Sequence, residues 1–348
     1  MLLSVIVPVY NVEKFLPRCL DSLLRQGMET GEYEIICVND GSPDDCADIL
    51  AAYEERYPFI FKVITQENQG LYSARNMAME VAKGKWVTFV DSDDYLINGA
   101  YRYLLDHFCE DSVDVLHYSY VYAYTDGRSL YDPHATPEGK ISYDGDGAAF
   151  YNRVPLPFVW SKFYRRTFLK QYDLRFEPVL LEDESFNFEV FCHSPHLRVV
   201  TSNVYRYEQG NANSLLTTID KEEVKHQLQM LLPVMEKMEQ YLQEDDGKLS
   251  LGARRNLNTS LRFYYSKMLK GHFTRREWKE YTELIKEQPI HKMDVSGEPS
   301  RLGKTIALLK NWSGESYPAY LLTEQLLSKV FLKVMRPRII SSYYKKCL

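Results

Sequence analysis

The chain has 348 residues and a formal net charge of −6 at pH 7. This length favours a main domain with an appendage over one small core. The negative charge argues against a general nucleic-acid-binding protein, because proteins that follow a phosphate backbone are basic. The six cysteines show no CxxC pair and no zinc spacing, which suits a reducing compartment. No apolar run is long enough to cross a membrane, so we expect a soluble cytoplasmic chain.

Residues 1–120 alternate between strand and helix patterns. Apolar, β-branched runs predict strands at 4–9, 33–39, 61–65 and 85–90. Helical spacing follows each of the first three strands, and Asn11 and Asn98 are candidate helix caps. Because such alternation builds parallel sheets, we predict an α/β fold with a doubly wound, mainly parallel, Rossmann-like sheet.

The stretch 86–94 is the most informative part of the chain, since an apolar run leads directly into three acids. Alternate side chains of a strand point the same way, so Asp91 and Asp93 would share one side. Two hard oxygen ligands suit Mg²⁺ or Mn²⁺, which also bind substrate phosphates. The alternative is that Asp93 and Asp94 only begin the next helix, where Asp is a favoured cap.

Other polar positions follow neighbouring strands and would meet these acids. Tyr10 and Asp40 come at the ends of the first two strands, and ligands of doubly wound sheets bind at that edge. No glycine-rich dinucleotide or Walker loop follows the first strand. Gly70 opens a helix in which Arg75 is placed to meet a phosphate, or else is an ordinary surface arginine.

Five motifs, in this order and spacing, resemble the family 2 glycosyltransferases with a GT-A fold. They are residues 5–11, 38–42, 70–76, 89–94 and 181–183. The resemblance covers roughly residues 2–215. It implies inverting transfer of a sugar from a nucleoside diphosphate sugar, with UDP as the nucleotide, to a hydroxyl of a glycan or lipid-linked acceptor. It further implies a role in cell-surface polysaccharide synthesis.

The same resemblance assigns roles to individual residues. By this resemblance, the nucleotide would be bound by Pro8, Tyr10, Asp40, Arg75, Asp91 and Ser92. The Mn²⁺ or Mg²⁺ ion would be bound by Asp93 together with Asp91. Asp94 is a further candidate for contact with the acceptor or the diphosphate. One departure is Asn98, which stands where the family usually has proline.

Inversion requires a carboxylate base that takes the proton of the acceptor hydroxyl. Glu182 and Asp183 are the candidates, and Asp183 is preferred because it matches the aspartate of the family's Glu-Asp pair. Without the resemblance, an aspartate in an acidic, solvated turn more often has a structural role.

The predicted catalytic domain is 1–218, with a nucleotide-binding half at 1–110 and an acceptor half at 111–218. The acceptor half begins with a tyrosine-rich strand at 113–122 and a polar loop at 125–147. Three of its residues are candidate acceptor or diphosphate contacts. Trp160 suits a sugar face and Lys162 suits an acid or phosphate, although core and surface roles fit equally well. Arg206 lies in a stretch, with Ser214 beyond it, that resembles the family's loop over the diphosphate.

Residues 219–348 are predicted to be helical, with a break or kink at Pro233. The last part has no acid after Glu324 and carries a basic face and an apolar face. The basic residues are Lys329, Lys333 and Arg336; the apolar ones are Leu327, Val330, Phe331 and Val334. Such a tail suits peripheral contact with the inner membrane face, or packing on the domain. A homodimer is a further expectation.

Two other functions compete with sugar transfer. A nucleotidyltransferase of related fold would carry a glycine-rich loop with a basic residue after the first strand, which this chain lacks. A non-catalytic sugar-nucleotide-binding protein would have no need of Asp93 or of Asp183.

Overall fold

The computed structural model describes residues 1–124, 137–154, 156–209, 220–244, 250–290, 292 and 308–330. The chain forms two compact units. The first comprises Met1–Phe150, Leu156–Pro178 and Glu182–Ser214. The second comprises Tyr151–Pro155, Val179–Leu181 and Leu215–Leu348. The predicted division of the catalytic domain into two halves stays a prediction.

The first unit opens with strictly alternating strands and helices. These are β1 (Leu3–Val9), α1 (Leu16–Leu24), β2 (Tyr33–Asp40), α2 (Cys46–Arg56), β3 (Phe61–Gln66), α3 (Leu71–Val81) and β4 (Trp86–Phe89). Every residue of β1, β2 and β4 is buried. Their continuous apolar runs fit strands that are covered on both faces, as in parallel sheets.

The first unit continues with shorter elements. They are β5 (Tyr95–Leu96), α4 (Ala100–Phe108), β6 (Val115–Tyr124), β7 (Ile141–Gly145), α5 (Gly147–Tyr151), a 3₁₀ turn (Val159–Ser161), β8 (Lys162–Arg165), α6 (Arg166–Gln171), α7 (Glu182–His193) and β9 (Leu197–Gln209). All strands join one sheet in the order β3-β2-β1-β4-β8-β6-β9-β5, with β7 beside β9.

The direction of the strands sets the edge at which a site can form. The pairs β1–β2, β1–β4 and β2–β3 are parallel. Their carboxyl ends therefore meet at one edge. Strand β8 runs antiparallel to both β4 and β6, and so joins the second half to this parallel half. The predicted α/β fold is confirmed.

Two predicted helix caps are wrong. Helix α1 begins only at Leu16 and has no side-chain cap, while Asn11 adopts φ 55° and donates its N–H to Ser42 Oγ at 3.2 Å. Helix α4 follows Gly99, which has φ 70°, and its N-terminus also lacks a side-chain cap, so Asn98 does not serve there. In both cases the turn geometry, and not the polar residue, sets the start of the helix.

Two segments predicted as loops contain strands. β7 lies within the range 125–147, of which 125–136 lie outside the described residues. Arg206 belongs to β9, where its backbone pairs with Tyr95 and with Val121. Partners on both sides of β9 supply the hydrogen bonds that favour strand over loop. Ser214 lies outside the described residues.

The second unit is helical where it is described. Its main helices are α8 (Lys221–Glu244), α9 (Ser250–Lys270), α10 (Arg275–Lys286), α11 (residues 308–313) and α12 (Tyr317–Val330). Helix α8 continues through Pro233, which excludes a break there. Across the described segments, no helix has both the length and the apolar character that a membrane crossing needs. Most of the predicted amphipathic tail, residues 331–348, lies outside the described residues.

Candidate active site

The turn after β4 is fixed by one tyrosine of β9. The Tyr205 hydroxyl donates to Asp94 Oδ2 at 2.7 Å and accepts the N–H of Asp91 at 3.0 Å. The backbone N–H of Glu208 donates to Asp94 Oδ1 at 2.7 Å. Burial, together with the charges of Asp93 and Asp91, raises the pKa of the Asp94 carboxyl well above its usual range. Asp94 is fully buried and joins β4 to β9, so it offers no open contact for a ligand.

Arg75 of α3 gathers three carboxylates that are distant in sequence. Its Nη1 donates to Glu182 Oε1 at 3.0 Å and to Asp183 Oδ1, and its Nη2 donates to Asp91 Oδ1 at 3.1 Å. The guanidinium lies 5.1 Å from the centre of the Phe176 ring. Arg75 is only 1% exposed, so the alternative of a surface arginine is wrong. Its contact with a nucleotide stays a prediction.

The cluster holds more negative than positive charge. Burial raises the pKa of Asp91 to about 7 against the charge of Arg75, with Asp183 and Asp93 adding to the rise. Burial, followed by the charge of Asp183, raises the pKa of Glu182 to about 7. Charged acids held this close favour a further cation, because one guanidinium leaves their repulsion only partly neutralised.

The donor set at this edge fits a divalent ion that also binds phosphate. Asp91 and Asp93 supply hard carboxylate oxygens, and the excess negative charge favours a cation beside them. Asp93 is half-buried, and Arg18 donates to its backbone carbonyl at 3.1 Å. Within the described ranges, no group of three or more His, Cys, Asp or Glu residues is arranged to hold a metal ion. A metal site here therefore needs oxygens from a ligand, and it stays a prediction.

Asp183 is held by two donors from different elements. Arg75 binds Oδ1, and the backbone N–H of Val159 donates to Oδ2 at 3.2 Å. Lys162 follows in the same segment and is fully buried. Its amine donates to the carbonyl of Leu156 at 3.1 Å and to that of Phe158. Burial lowers the pKa of Lys162 to about 7. Its amine is therefore hydrogen-bonded to backbone carbonyls, and the structure does not show it extending toward a phosphate.

Trp160 belongs to an internal aromatic stack. Its ring stacks on Phe158 at 4.6 Å and on Tyr205 at 4.2 Å between centroids. Tyr120 approaches it edge-on at 4.8 Å. Trp160 is 2% exposed, so the core role applies and the predicted sugar-facing role is wrong for this arrangement. Arg206 is likewise 1% exposed within β9, and does not lie on a loop that closes over a ligand.

The remaining nucleotide candidates lie at the ends of β1, β2 and β4. Asp40 accepts N–H donors from Gln66 at 2.6 Å, Gln69 at 2.9 Å and Gly70 at 2.9 Å. Asp40 thus fixes the loop before α3. Tyr10 is 48% exposed. Pro8 and Ser92 are buried at the same edge. Their contacts with a nucleotide stay predictions.

Sequence reasoning missed three parts of the site. The ring of Phe176 beneath Arg75 and the N–H of Val159 at Asp183 have no signal in the sequence, since any residue except proline supplies such an N–H. The third is the Tyr205 hydroxyl at Asp94. This contact had a signal in the sequence, because a buried tyrosine hydroxyl usually finds a hydrogen-bond partner and the acids at 91–94 could supply one.

Comparisons with known proteins agree with this architecture. Residues 4–173 match the family described as Glycosyl transferase family 2. The chain is 33% identical over 220 residues to the uncharacterized glycosyltransferase EpsJ of Bacillus subtilis, and the matched region covers 62% of each chain. It is 29% identical over 210 residues to the poly(ribitol-phosphate) β-N-acetylglucosaminyltransferase TarS of Staphylococcus aureus, covering 60% of this chain and 35% of TarS.

Solved structures show the same fold. The crystal structure of S. aureus TarS 1–349 with UDP-GlcNAc superposes with a TM-score of 0.62 at 20% identity, covering 94% of this chain and 92% of that one. The mannosyltransferase PcManGT of Pyrobaculum calidifontis, with GDP-Man and Mn²⁺, gives 0.52 at 14% identity, covering 93% and 86%. By sequence, the chain spans 62% of EpsJ and 60% of the putative glycosyltransferase EpsH.

Arg75→Met should test the central role of this arginine. Loss of the cation leaves Asp91, Glu182 and Asp183 facing one another in a buried site, so the free energy of unfolding should fall by about 3–5 kcal/mol at pH 7. The loss should be smaller at pH 5, because Asp91 and Glu182, whose pKa values are raised to about 7, then bind protons and need less compensation by a cation. Urea unfolding measures both values. The control is Arg102→Met, which removes partly exposed ion pairs to Glu32 and Asp106 and should lower the free energy of unfolding far less, because solvent screens such pairs. Equal losses in the two variants would contradict this role.

Proposed function

Because the chain belongs to glycosyltransferase family 2 and has a GT-A fold, we propose that it is an inverting, metal-dependent glycosyltransferase. It would transfer a sugar from a nucleoside diphosphate sugar to a hydroxyl of a glycan or lipid-linked acceptor. The observation that carries this proposal is the cluster around Arg75, which unites Asp91 at the end of β4 with the Glu182-Asp183 pair of α7. The family assignment leaves the nucleotidyltransferase alternative without support.

The comparisons favour a UDP-sugar and a cell-surface product. The TarS fragment was crystallised in complex with UDP-GlcNAc, and TarS is a poly(ribitol-phosphate) β-N-acetylglucosaminyltransferase. A poly(ribitol-phosphate) β-glucosyltransferase of Bacillus spizizenii is 45% identical over 97 residues, which cover 28% of this chain and 15% of the relative. These relatives support a polymeric, hydroxyl-bearing acceptor in surface polysaccharide synthesis.

Asp91 and Asp93 would hold the divalent ion. Divalent ions are general in this family, and PcManGT carries Mn²⁺. When bound, Mn²⁺ or Mg²⁺ supplies the positive charge that a departing nucleoside diphosphate requires. Arg75 prevents the acids of the site from separating, and the buried Asp94 holds the backbone that presents Asp91 and Asp93.

Asp183 would accept the proton of the acceptor hydroxyl. The oxygen of that hydroxyl forms the new bond to the anomeric carbon as the bond to the diphosphate breaks on the opposite face. The hydroxyl proton passes to the Asp183 carboxylate, and the electron pair of the broken bond leaves with the diphosphate. The side chain of Asp183 is 20% exposed and that of Glu182 is 17% exposed, so each is only partly open to an acceptor.

Asp93→Ala should abolish transfer and metal-dependent nucleotide binding, because it removes a carboxylate of the proposed ion site. The unfolding temperature should change little, since Asp93 is half-buried and lies outside the core. Calorimetric titration with UDP, in the presence and in the absence of Mn²⁺, measures the metal-dependent nucleotide binding. Glu55→Ala, which removes an exposed acid of α2, is the control and should behave as wild type. Full transfer by Asp93→Ala, or by the wild type in EDTA, would refute the metal role.

Asp183→Asn should lower kcat about 10²- to 10⁴-fold, because the amide keeps the shape of the side chain but cannot accept the proton. Donor affinity should stay within about twofold, since the base acts on the acceptor. Release of UDP from a panel of UDP-sugars, with a hydroxyl acceptor present and absent, gives both quantities. Glu182→Gln is the matched comparison. A larger loss of kcat in Glu182→Gln than in Asp183→Asn would assign the base to Glu182.

The basic tail would bring the enzyme to a lipid-linked acceptor at the cytoplasmic face of the membrane. Full-length protein should therefore sediment with anionic vesicles at low salt, with each basic residue near the lipid contributing about 1 kcal/mol. A chain truncated after Thr323 should remain in the supernatant, and neutral vesicles are the control. Equal sedimentation of the two proteins, or none with anionic vesicles, would favour a tail that packs on the protein. The expected homodimer has no comparable support.

A further inference from the structure

One peptide group lies between the buried amine of Lys162 and the proposed base. The amide that joins Phe158 to Val159 accepts a hydrogen bond from Lys162 through its carbonyl and donates one to Asp183 Oδ2, at 3.2 Å, through its N–H. The peptide bond is planar, so its carbonyl and N–H move together. A force that orients the carbonyl of Phe158 therefore also orients the N–H of Val159.

The surroundings of Lys162 suit a role in orienting this peptide group and not direct contact with a ligand. Its side chain is fully buried, and its amine has three oxygen acceptors: the carbonyls of Leu156 and Phe158, and Ser161 Oγ at 3.5 Å. Burial lowers the pKa of the amine, while the charge of Asp183 acts in the opposite direction. A buried amine costs free energy unless its hydrogen bonds are satisfied, and here two backbone carbonyls and one hydroxyl accept them.

The opposite side of this segment is also anchored. His117 Nδ1 lies 3.1 Å from the carbonyl oxygen of Ser161 and 3.3 Å from its hydroxyl. The 3₁₀ turn Val159–Ser161 is thus held at both ends by side chains, with Lys162 at its start and His117 at its end. Such a turn can present one N–H in a fixed direction.

We propose that Lys162 and the N–H of Val159 are positioning groups for Asp183, acting through the peptide group between Phe158 and Val159. This inference rests on the proposed function, since it assigns the means by which the proposed base is oriented. Arg75 alone fixes one oxygen of the carboxylate and leaves rotation about that contact. A second donor at Oδ2 fixes the plane, and so directs the carboxylate toward one acceptor position.

Val159→Pro tests the N–H directly. Phe158 is extended, with φ −81° and ψ 131°, which suits a residue before proline, and Val159 begins the 3₁₀ turn, where proline is tolerated. We expect kcat to fall about 10- to 100-fold, with donor affinity and unfolding temperature close to wild type. The matched control is Val159→Ala, which loses more side-chain volume but keeps the N–H, and its kcat should stay within about threefold.

Lys162→Met tests the amine, because methionine has a similar length and no hydrogen-bond donor. Its kcat should also fall about 10- to 100-fold at unchanged donor affinity. Both Val159→Pro and Lys162→Met should cause no further loss in an Asp183→Asn background, since groups that act through one residue are not additive. A merely structural role would lower donor affinity and would add to the effect of Asp183→Asn.

The outcomes separate this inference from the proposed function. If Asp183→Asn keeps the wild-type kcat, the proposed base is wrong. If Asp183→Asn is impaired but Val159→Pro matches Val159→Ala, or Lys162→Met matches wild type, only the positioning role is wrong. Urea unfolding gives a readout without activity: the midpoint shift of the double variant Lys162→Met/Asp183→Asn should be smaller than the sum of the single shifts. Additive shifts would overturn the inference even for a protein without measurable transfer.

Discussion

The ion cluster of Arg75 is the interaction that holds the site in its arrangement. Its guanidinium is nearly inaccessible to solvent and binds Asp91, Glu182 and Asp183. Without a cation, the acids from β4 and α7 would repel one another in surroundings that screen charge poorly. A lysine could not replace it, because only the planar fork of arginine reaches several carboxylates at fixed angles. The contact also joins α3, in the parallel half of the sheet, to α7, which lies more than one hundred residues later.

A second constraint fixes the backbone that carries the acids. Asp94 is buried and receives the Tyr205 hydroxyl and the N–H of Glu208, while the same hydroxyl accepts the N–H of Asp91. Tyr205 in turn stacks on Trp160. The turn after β4 is therefore attached to the aromatic core of the second half of the sheet. Rigid support of this kind lets the neighbouring carboxylates remain at the edge without being part of the packing, which is what a metal and a diphosphate require.

The different roles of the individual carboxylates follow from these contacts. Asp94 and Asp40 accept hydrogen bonds from backbone and side-chain donors, so Asp94 stabilises the turn after β4 and Asp40 stabilises the loop before α3. Asp91 and Glu182 have raised pKa values because they are partly buried beside other acids, and this arrangement favours the binding of a cation. Asp183 is bound on both oxygens yet remains partly exposed, and orientation of this kind suits a group that meets an acceptor.

The elements of the parallel half and the edge that carries the site could be predicted from the sequence. Strands such as β1 and β4 are continuous apolar runs, and parallel strands bring their carboxyl ends together, so the placement of Tyr10, Asp40 and Asp91 at one edge of the sheet followed from topology alone. Which side chains remain open could not be predicted in this way. Whether Trp160 faces a sugar or a core, and whether Arg75 meets a phosphate or three acids, depends on rings and carboxylates that arrive from distant segments. The spacing of residues along the chain determines the periodicity and the direction of its strands and helices. The burial and the electrostatic surroundings of a side chain depend on partners that are distant in sequence, and the residues next to that side chain do not reveal those partners.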